Sequence, residues 1–180
     1  VFNWADLRRY LTEDEADPAS ENDFGKNIIP KMLNDGMKMQ SYRFDGYGKD
    51  GGTLESLWDA NMDMLSPASG LNLLDKSWPI YGRTPSCPPA FVGPASDVGN
   101  SAVAKGCVIE GEVKNSVLSV NVTVKEGAQV SYSVLMPGAV VEEGASVQYA
   151  ILDKNVTVKS GTKLLGSPEQ PLIIRKGVTV

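Results

Sequence analysis

The chain has 180 residues, of which 17 are lysine or arginine, 22 are aspartate or glutamate and none is histidine, so its formal charge is −5. A hydrophobic content of 42% is enough for a core and excludes an intrinsically disordered chain. The acidic balance argues against a general nucleic-acid-binding protein. Without histidine, the chain cannot build a Ser-His-Asp or Cys-His nucleophile or a histidine metal site.

Cellular location is indicated by the cysteines and by the absence of a long apolar run. Cys87 and Cys107 lack the CxxC spacing of metal and redox motifs, so we interpret them as free thiols in a reducing compartment. No apolar run approaches the roughly 18 residues of a membrane-spanning helix, and no secretory signal begins the chain. We therefore expect a cytoplasmic protein with no membrane association. Because Val1 stands where an initiator methionine would, we expect a piece of a longer chain.

Valine usage divides the chain into two parts. Val1 is the only valine in residues 1–91, whereas residues 92–180 contain 18. Because β-branched residues favour strands, this shift predicts a helix-rich part followed by a β-rich part. We predict three segments: the end of a larger α/β domain in residues 1–68, a proline-rich connector in residues 69–91, and β-structure in residues 92–180.

Two helices are predicted before residue 35. Asn3 is a suitable N-cap for the first helix, and Asp23 is a suitable N-cap for the second. Pro30 must lie in the first turns of the second helix or kink it, because proline lacks an amide hydrogen. The predicted packing face of the first helix comprises Trp4, Leu7, Arg8 and Leu11.

The third helix has the clearest pattern, with Thr53 as its N-cap. Residues 39–47 alternate enough to predict a strand between the second and third helices. These few elements bury little by themselves, which is why we assign residues 1–68 to a larger α/β domain. The residues at helical spacing in the third helix are Leu54, Leu57, Trp58, Asn61, Met62 and Leu65.

A 17-residue repeat occupies the second half. Segments that begin at Asn115, Tyr132 and Tyr149 align without gaps, and a looser copy from Val103 requires a four-residue insertion. Within each copy an aliphatic residue recurs about every six positions, which is the hexapeptide signature of a parallel β-helix. A β-sandwich with coincidental valine spacing is the alternative, and three copies in register argue against it.

We predict a left-handed parallel β-helix over residues 98–168, closed by a strand within Pro171–Arg175. A glycine recurs where each coil turns, because positive φ is accessible to glycine at little cost. The predicted inward residues are Val124, Val130, Val141, Val147 and Val158, and the predicted turn glycines are Gly106, Gly127, Gly144 and Gly161.

Four sequence segments resemble those of a known protein family: Asp23–Pro30, Gly46–Thr53, Glu55–Asp63 and Leu71–Ile80. They resemble bacterial glucose-1-phosphate adenylyltransferase (ADP-glucose pyrophosphorylase), and most of all its GlgD-type subunit, the companion of the catalytic GlgC-type subunit. The resemblance covers essentially the whole chain. It implies a mixed fold, in which the C-terminal part of an α/β nucleotidyltransferase domain precedes a left-handed β-helix of hexapeptide repeats.

The resemblance also implies a function in glycogen biosynthesis, where the family makes ADP-glucose and pyrophosphate from ATP and glucose 1-phosphate. The family's Gly-rich nucleotide loop and its Glu-Lys pair for the sugar phosphate fall upstream of Val1. We therefore predict no catalytic residue in this chain and no activity of the chain alone. Its expected contribution is to assembly and regulation.

Three residues match substrate-contacting positions of the family. Asp23 and Phe24 match positions that contact the hexose phosphate, and Asp50 matches a carboxylate that can hold Mg²⁺, the cofactor expected of the full-length enzyme. Simpler interpretations remain open, with Asp23 as a helix cap and Asp50 as a turn residue. Gly48 stands where the family usually has tryptophan, which removes a substrate-contacting wall and fits a subunit that assists a catalytic partner.

The family forms tetramers, so we expect a homo- or hetero-tetramer with the GlgC-type subunit as partner. Tyr132 and Tyr149 are one coil apart and should stack, either as a partner interface or as a ladder that stabilises the β-helix itself. Two other classes of protein are alternatives. A hexapeptide acyltransferase typically needs a histidine, which this chain lacks. A non-enzymatic β-helix scaffold or binding module needs none. Candidate anion contacts for an effector, if not simply solvated side chains, are Lys26, Lys31, Arg83 and Lys105.

Overall fold

The computed structural model describes residues 1–73, 75–82 and 85–180. The chain divides into two compact units, Val1–Asp45 and Gly46–Val180. The predicted fold class is confirmed, since a short helical part precedes a parallel β-helix. The division into residues 1–68, 69–91 and 92–180 stays a prediction. Among the described residues, no helix is both long enough and apolar enough to cross a membrane.

Helix α1 (Trp4–Glu15) begins as predicted, because the Asn3 side chain accepts hydrogen bonds from the amides of the first turn. Its predicted packing face was only partly right. Trp4 is 65% exposed, whereas the residue at the centre of the core is Tyr10, which is fully buried. The Tyr10 hydroxyl donates to Asp35 Oδ2 at 2.8 Å. That hydrogen bond satisfies the polar end of the ring, so tyrosine can occupy a core position that apolar periodicity alone does not reveal.

The second predicted helix consists of two pieces, a π-helical turn at Phe24–Ile28 and helix α2 (Ile29–Asn34). The predicted cap is confirmed, since Asp23 Oδ1 accepts from the Lys26 amide at 2.9 Å. Pro30 lies in the first turn of α2, directly after the π-helical turn, so its missing amide hydrogen falls where the helix changes its hydrogen-bonding pattern. Ile28 and Met32 from these two pieces pack against Tyr10 and form the small core of the first unit.

The strand predicted within residues 39–47 is wrong, because this segment is irregular. Tyr42 and Phe44 are 88% and 67% exposed. Alternating residues form a strand only when a neighbouring strand accepts their backbone hydrogen bonds. Among the described residues of the first unit there is no such neighbour.

In the second unit, helix α3 (Leu54–Asp63) begins at the predicted cap, with Thr53 Oγ1 accepting from the Ser56 amide at 3.2 Å. A 3₁₀ turn follows at Pro67–Ser69. Fifteen short strands then form the β-helix: β1 Phe91–Val92, β2 Asp97–Gly99, β3 Ala102–Val103, β4 Val108–Ile109, β5 Glu112–Lys114, β6 Val117–Leu118, β7 Thr123–Val124, β8 Gln129–Ser131, β9 Val134–Leu135, β10 Val140–Val141, β11 Ser146–Gln148, β12 Ala150–Leu152, β13 Thr157–Val158, β14 Lys163–Leu165 and β15 Leu172–Ile174.

Every third strand pairs in parallel, which produces three five-stranded sheets. The first sheet has the order β1-β4-β7-β10-β13, the second β14-β11-β8-β5-β2 and the third β15-β12-β9-β6-β3. The 17-residue register is confirmed by the pairing of Val124 with Val141 and of Val141 with Val158. The closing strand is also confirmed, because β15 pairs with β12. All five predicted inward valines are essentially inaccessible to solvent.

The looser copy at the start of the repeat was aligned wrongly. The four-residue insertion follows from aligning Val103 with Val124. In the structure Val103 instead pairs with Leu118 in the third sheet, whereas Val124 lies in the first sheet and pairs with Ile109. Gly106 does have positive φ, but it lies at the corner that Asn121 occupies one coil later, not at the corner of the other three glycines. A Cβ at Gly106 would come within 2.1 Å of Asn121 Oδ1, so a side chain here would require Asn121 to move.

The three sheets enclose the interior of a triangular prism. A charged side chain placed in this interior provides the first test of the packing. The substitution Val141→Asp should lower the free energy of unfolding by about 3–5 kcal/mol, because it places an unpaired carboxylate among buried aliphatic side chains. Val140→Asp is the matched control, since Val140 is only half-buried and shares its ladder position with Thr123 and Thr157. Urea unfolding of the two variants should differ by more than about 2 kcal/mol. Equal losses would contradict the assigned register.

Candidate functional site

The third sheet of the β-helix carries aliphatic side chains on both of its faces. Leu135 and Leu152 point into the prism, while their neighbours Val134 and Ile151 point outward and are still buried. Helix α3 covers this outer face, and Trp58 is the centre of the contact. Adjacent aliphatic pairs recur in this sheet, but the first sheet also has such pairs at Val108–Ile109 and Val140–Val141, so the sequence pattern alone does not identify the covered face.

Trp58 is fixed by one hydrogen bond and one ring contact. Its indole Nε1–H donates to the backbone carbonyl of Tyr132 at 2.8 Å. Its ring lies 5.9 Å from the ring of Tyr149, centroid to centroid. A buried tryptophan with its N–H satisfied holds a helix in one orientation, whereas apolar contacts alone would let it slide.

The predicted tyrosine stack is confirmed. The rings of Tyr132 and Tyr149 are 4.8 Å apart and inclined by 10°. Both residues have φ of 48°, a left-handed conformation that is uncommon for a bulky side chain. Because Trp58 contacts this pair, the chain's own helix occupies part of the ladder. Its use as an interface with a partner stays a prediction.

The loop before α3, residues 46–52, is tied to the polar side of that helix. The Tyr47 hydroxyl donates to Asp63 Oδ2 at 2.8 Å. Lys49 Nζ lies 2.8 Å from the same oxygen and 3.0 Å from Asp59 Oδ2. Asp59 and Asp63 are four residues apart and therefore share one face of α3, so a single lysine bridges both.

These contacts shift three pKa values. Hydrogen bonds from Lys49 and then Tyr47 lower the pKa of Asp63. Hydrogen bonds to Asp63 and then Asp59 raise the pKa of Lys49. The hydrogen bond to Asp63 is also the main cause that raises the pKa of Tyr47. The loop is therefore held to α3 by a charged pair and a neutral phenol over the whole physiological pH range.

Asp50, the predicted metal ligand, follows Lys49 directly and is exposed. Its Oδ1 accepts from the Gly52 amide at 3.0 Å, so the simpler interpretation as a turn residue describes part of its role. In the described residues, no three Cys, Asp or Glu side chains converge as a metal site would require. A lone exposed carboxylate does fit Mg²⁺ as one protein ligand, because Mg²⁺ is usually held by one or two carboxylates, substrate phosphates and water.

Asp23 and Phe24, the other predicted substrate contacts, lie in the first unit. Asp23 is the cap described above, and Phe24 is 43% exposed with its ring 5.9 Å from that of Phe2. A cleft of about 540 Å³ opens in the same unit, and its lining includes Met32 and Met39 but neither predicted residue. Cap and ring contact are compatible with a sugar-phosphate wall, which stays a prediction.

The candidate effector lysines of the first unit are already paired. Lys26 forms an ion pair with Glu21, and Lys31 lies 2.8 Å from Glu13. Lys105 is exposed on the β-helix, and Arg83 lies outside the described residues. Exposed pairs of this kind are weak, so they do not prevent an anion from competing. The effector site stays a prediction.

Comparisons with known proteins match both parts of the chain. A nucleotidyl transferase family model matches residues 1–67, and a model of a GlmU-like, C-terminal hexapeptide matches residues 90–170. The glucose-1-phosphate adenylyltransferase of Clostridium perfringens (strain SM101 / Type A) is 52% identical over 130 residues, covering 72% of this chain and 34% of that protein. The protein of the same name from Bacillus mycoides (strain KBAB4) is 49% identical over 130 residues, covering 72% and 35%.

The chain is homologous to the glucose-1-phosphate adenylyltransferases. It spans about a third of the length of these curated relatives. The order of the two matched models is the order that the sequence resemblance predicted.

One glycine pattern in this adenylyltransferase homologue requires a correction. Residues 46–51 have the G-x-G-x-x-G spacing of dinucleotide-binding loops, although our sequence analysis assigns no nucleotide loop to this chain. A loop with this glycine spacing binds a pyrophosphate when it joins a strand to a helix. Here no strand precedes the loop among the described residues, and Lys49 inside it is turned onto Asp59 and Asp63. The spacing is therefore coincidental.

The pH dependence of the loop contact provides the second test. Because the folded pKa of Asp63 is lowered, its contribution to stability is present above the ordinary aspartate pKa and is lost as pH falls through the lowered value. Thermal unfolding of the chain between pH 7 and pH 2 should therefore lose stability more steeply than that of Asp63→Asn. Asp45→Asn, which removes an exposed carboxylate beside Arg43, should follow the unmodified chain. An Asp63→Asn profile that overlays the unmodified one would contradict the assigned tie.

Proposed function

We propose that this chain is the C-terminal part of a subunit of glucose-1-phosphate adenylyltransferase that acts in glycogen biosynthesis. The observation that supports this most is an identity of about half over 130 residues, which cover 72% of this chain, together with the matches to the two family models. The whole enzyme would join ATP and glucose 1-phosphate to give ADP-glucose and pyrophosphate. This chain would supply the β-helix, helix α3 and the Asp50 loop.

The proposed role of the subunit is assembly and regulation, as in the GlgD-type companion of a catalytic GlgC-type chain. Two features support this finer assignment. Gly48 places no side chain beside the Asp50 loop, where the family usually has tryptophan. In addition, a Cβ at Gly48 would meet no atom within 4 Å, so the position is open in this structure. A substrate bound here would meet less apolar surface than in a catalytic subunit.

Asp50 is the proposed ligand for Mg²⁺ and the substrate phosphates, with Asp23 and Phe24 on the hexose-phosphate wall. When bound, Mg²⁺ would offset the negative charge that accumulates as one phosphate attacks another. The described contacts of Asp50 engage one of its carboxylate oxygens, Oδ1. The Gly52 amide holds that oxygen in place, so the carboxylate is oriented before a ligand arrives.

The proposed partner is the GlgC-type subunit, in a homo- or hetero-tetramer located in the cytoplasm. The β-helix provides three sheets of short strands, and α3 covers one of them. The first sheet exposes a ladder of half-buried β-branched side chains, among them Thr123, Val140 and Thr157. A flat ladder of this kind suits packing against another subunit.

A non-enzymatic β-helix scaffold or binding module is the second candidate. One observation favours it, since the Asp50 loop and α3 belong to the same compact unit as the β-helix. In that case the loop would be a tether for the helix, and Asp50 would serve only the turn.

The third test distinguishes an adenylyltransferase subunit from a non-enzymatic scaffold by measuring turnover and substrate binding. The 180-residue chain alone should form no ADP-glucose, because in the family the nucleotide loop and the Glu-Lys pair fall outside it. In the full-length subunit, calorimetry should detect binding of glucose 1-phosphate with Mg²⁺. Asp50→Asn should weaken that binding about tenfold, since a charge-assisted contact contributes roughly 1.5–3 kcal/mol.

Asp97→Asn is the matched control for this measurement, because Asp97 is an exposed carboxylate paired with a lysine of the β-helix. It should leave the affinity unchanged. Turnover by the 180-residue chain would contradict its predicted inactivity. Equal affinities in the full-length subunit and its Asp50→Asn variant would reject the assigned site and favour the scaffold.

A further inference from the structure

Helix α3 has two contacts that together fix the loop beside it. Trp58 docks the helix on the third sheet through a hydrogen bond and an aromatic contact. On its polar side, Asp63 and Asp59 hold Lys49, and Asp63 also holds Tyr47. The loop is thus attached to a helix that is itself attached to the β-helix.

Lys49 is the residue immediately before Asp50. A free ammonium at this position would lie within reach of the Asp50 carboxylate and would compete with a cation for it. Two bridges of 2.8 and 3.0 Å instead turn it toward α3, and its side chain is only 29% exposed. The bridge leaves the Asp50 carboxylate facing solvent beside the Gly52 amide.

Gly52 restricts the carboxylate from the other side. A Cβ at this position would lie 3.3 Å from Asp50 Oδ1 and 3.6 Å from Oδ2. A side chain at position 52 would therefore require the Asp50 carboxylate to shift by a few tenths of an ångström. Asp50 therefore lies between Lys49, which is bridged to α3, and Gly52, whose amide donates to its carboxylate.

We propose that Lys49, assisted by Tyr47, is a positioning residue for Asp50. Its bridge to α3 holds the loop so that the Asp50 carboxylate is presented to a divalent cation and the phosphate that accompanies it. This inference rests on the proposed function, in which Asp50 is that ligand. Lys49 itself contacts neither the cation nor the substrate.

The sign of the effect on cation affinity distinguishes positioning from simple electrostatics. Removing the Lys49 charge makes the surroundings of Asp50 more negative, which by charge alone would tighten the binding of a divalent cation. Loss of positioning would weaken it. Groups that orient a metal ligand typically contribute 10- to 100-fold to affinity, so the positioning effect should exceed the electrostatic one.

The experiment titrates Mn²⁺ into the full-length subunit with glucose 1-phosphate present and follows free Mn²⁺ by electron paramagnetic resonance. Lys49→Met should weaken Mn²⁺ binding about tenfold, and Lys49→Arg should restore it to within about threefold, because arginine can also bridge two carboxylates. Tyr47→Phe, which changes no charge and removes one hydroxyl, should weaken binding severalfold. Lys114→Met is the control, since Lys114 is similarly exposed and paired with an aspartate on the β-helix.

The possible results separate this inference from the proposed function. If Asp50→Asn weakens Mn²⁺ binding but Lys49→Met and Tyr47→Phe leave it unchanged or tighter, the positioning role is overturned and the proposed site stands. If Asp50→Asn leaves Mn²⁺ binding unchanged, the proposed site is rejected, and the positioning role with it. Weaker binding in Lys49→Met and Tyr47→Phe, with rescue by Lys49→Arg, supports the inference.

Discussion

Each coil of the β-helix must place its inward side chains directly above those of the coil before it, and the second unit depends on this constraint. A core built from valine, leucine and isoleucine satisfies it only if the pairing register is constant. The corners must then turn at the same position in every coil, which explains why glycine and asparagine recur there with positive φ. Since neighbouring coils repeat the same geometry, the outer faces become ladders, and one apolar ladder is enough to bind a helix.

Helix α3 connects that scaffold to the candidate site. Its apolar side meets the third sheet through Trp58, while its acidic side holds Lys49 and Tyr47 of the loop. Asp50 is consequently located by a chain of contacts that starts in the β-helix core. A β-helix can in this way influence the proposed substrate loop without contributing a side chain to it, which suits a subunit whose proposed role is regulation.

Much of the fold could be predicted because its signals are local. Hexapeptide spacing, helix caps at Asn3, Asp23 and Thr53, and the 17-residue register all depend on residues close together in the chain. The errors arose where distant partners decide the outcome. Residues 39–47 alternate without a strand to pair with, and Tyr10 is buried because Asp35 lies opposite its hydroxyl. The first coil was misaligned because a spacing cannot show which of three sheets a valine joins.

The candidate site was predictable only in part for the same reason. Asp50 was found through resemblance, and its alternative role as a turn residue is supported by the hydrogen bond from the Gly52 amide. The bridge from Lys49 was missed, although Asp59 and Asp63 share one face of α3, because many lysines precede acidic helices without pairing to them. The docking of Trp58 was missed too, because helical spacing does not show which distant strands a helix will pack against.

Sequence separation distinguishes the contacts of α3 from those within the β-helix. Neighbouring coils pair residues about 17 positions apart, whereas Trp58 and Tyr132 are separated by 74. Closing short loops costs less entropy than closing long ones, so coil stacking should precede helix docking during folding. Until the helix docks, Val134 and Ile151 are exposed to solvent, and the partly folded β-helix has a hydrophobic surface that can associate with other chains. We expect Trp58 fluorescence, in a chain with Trp4→Phe and Trp78→Phe, to change more slowly during refolding than the β-sheet circular dichroism; simultaneous changes would refute this order.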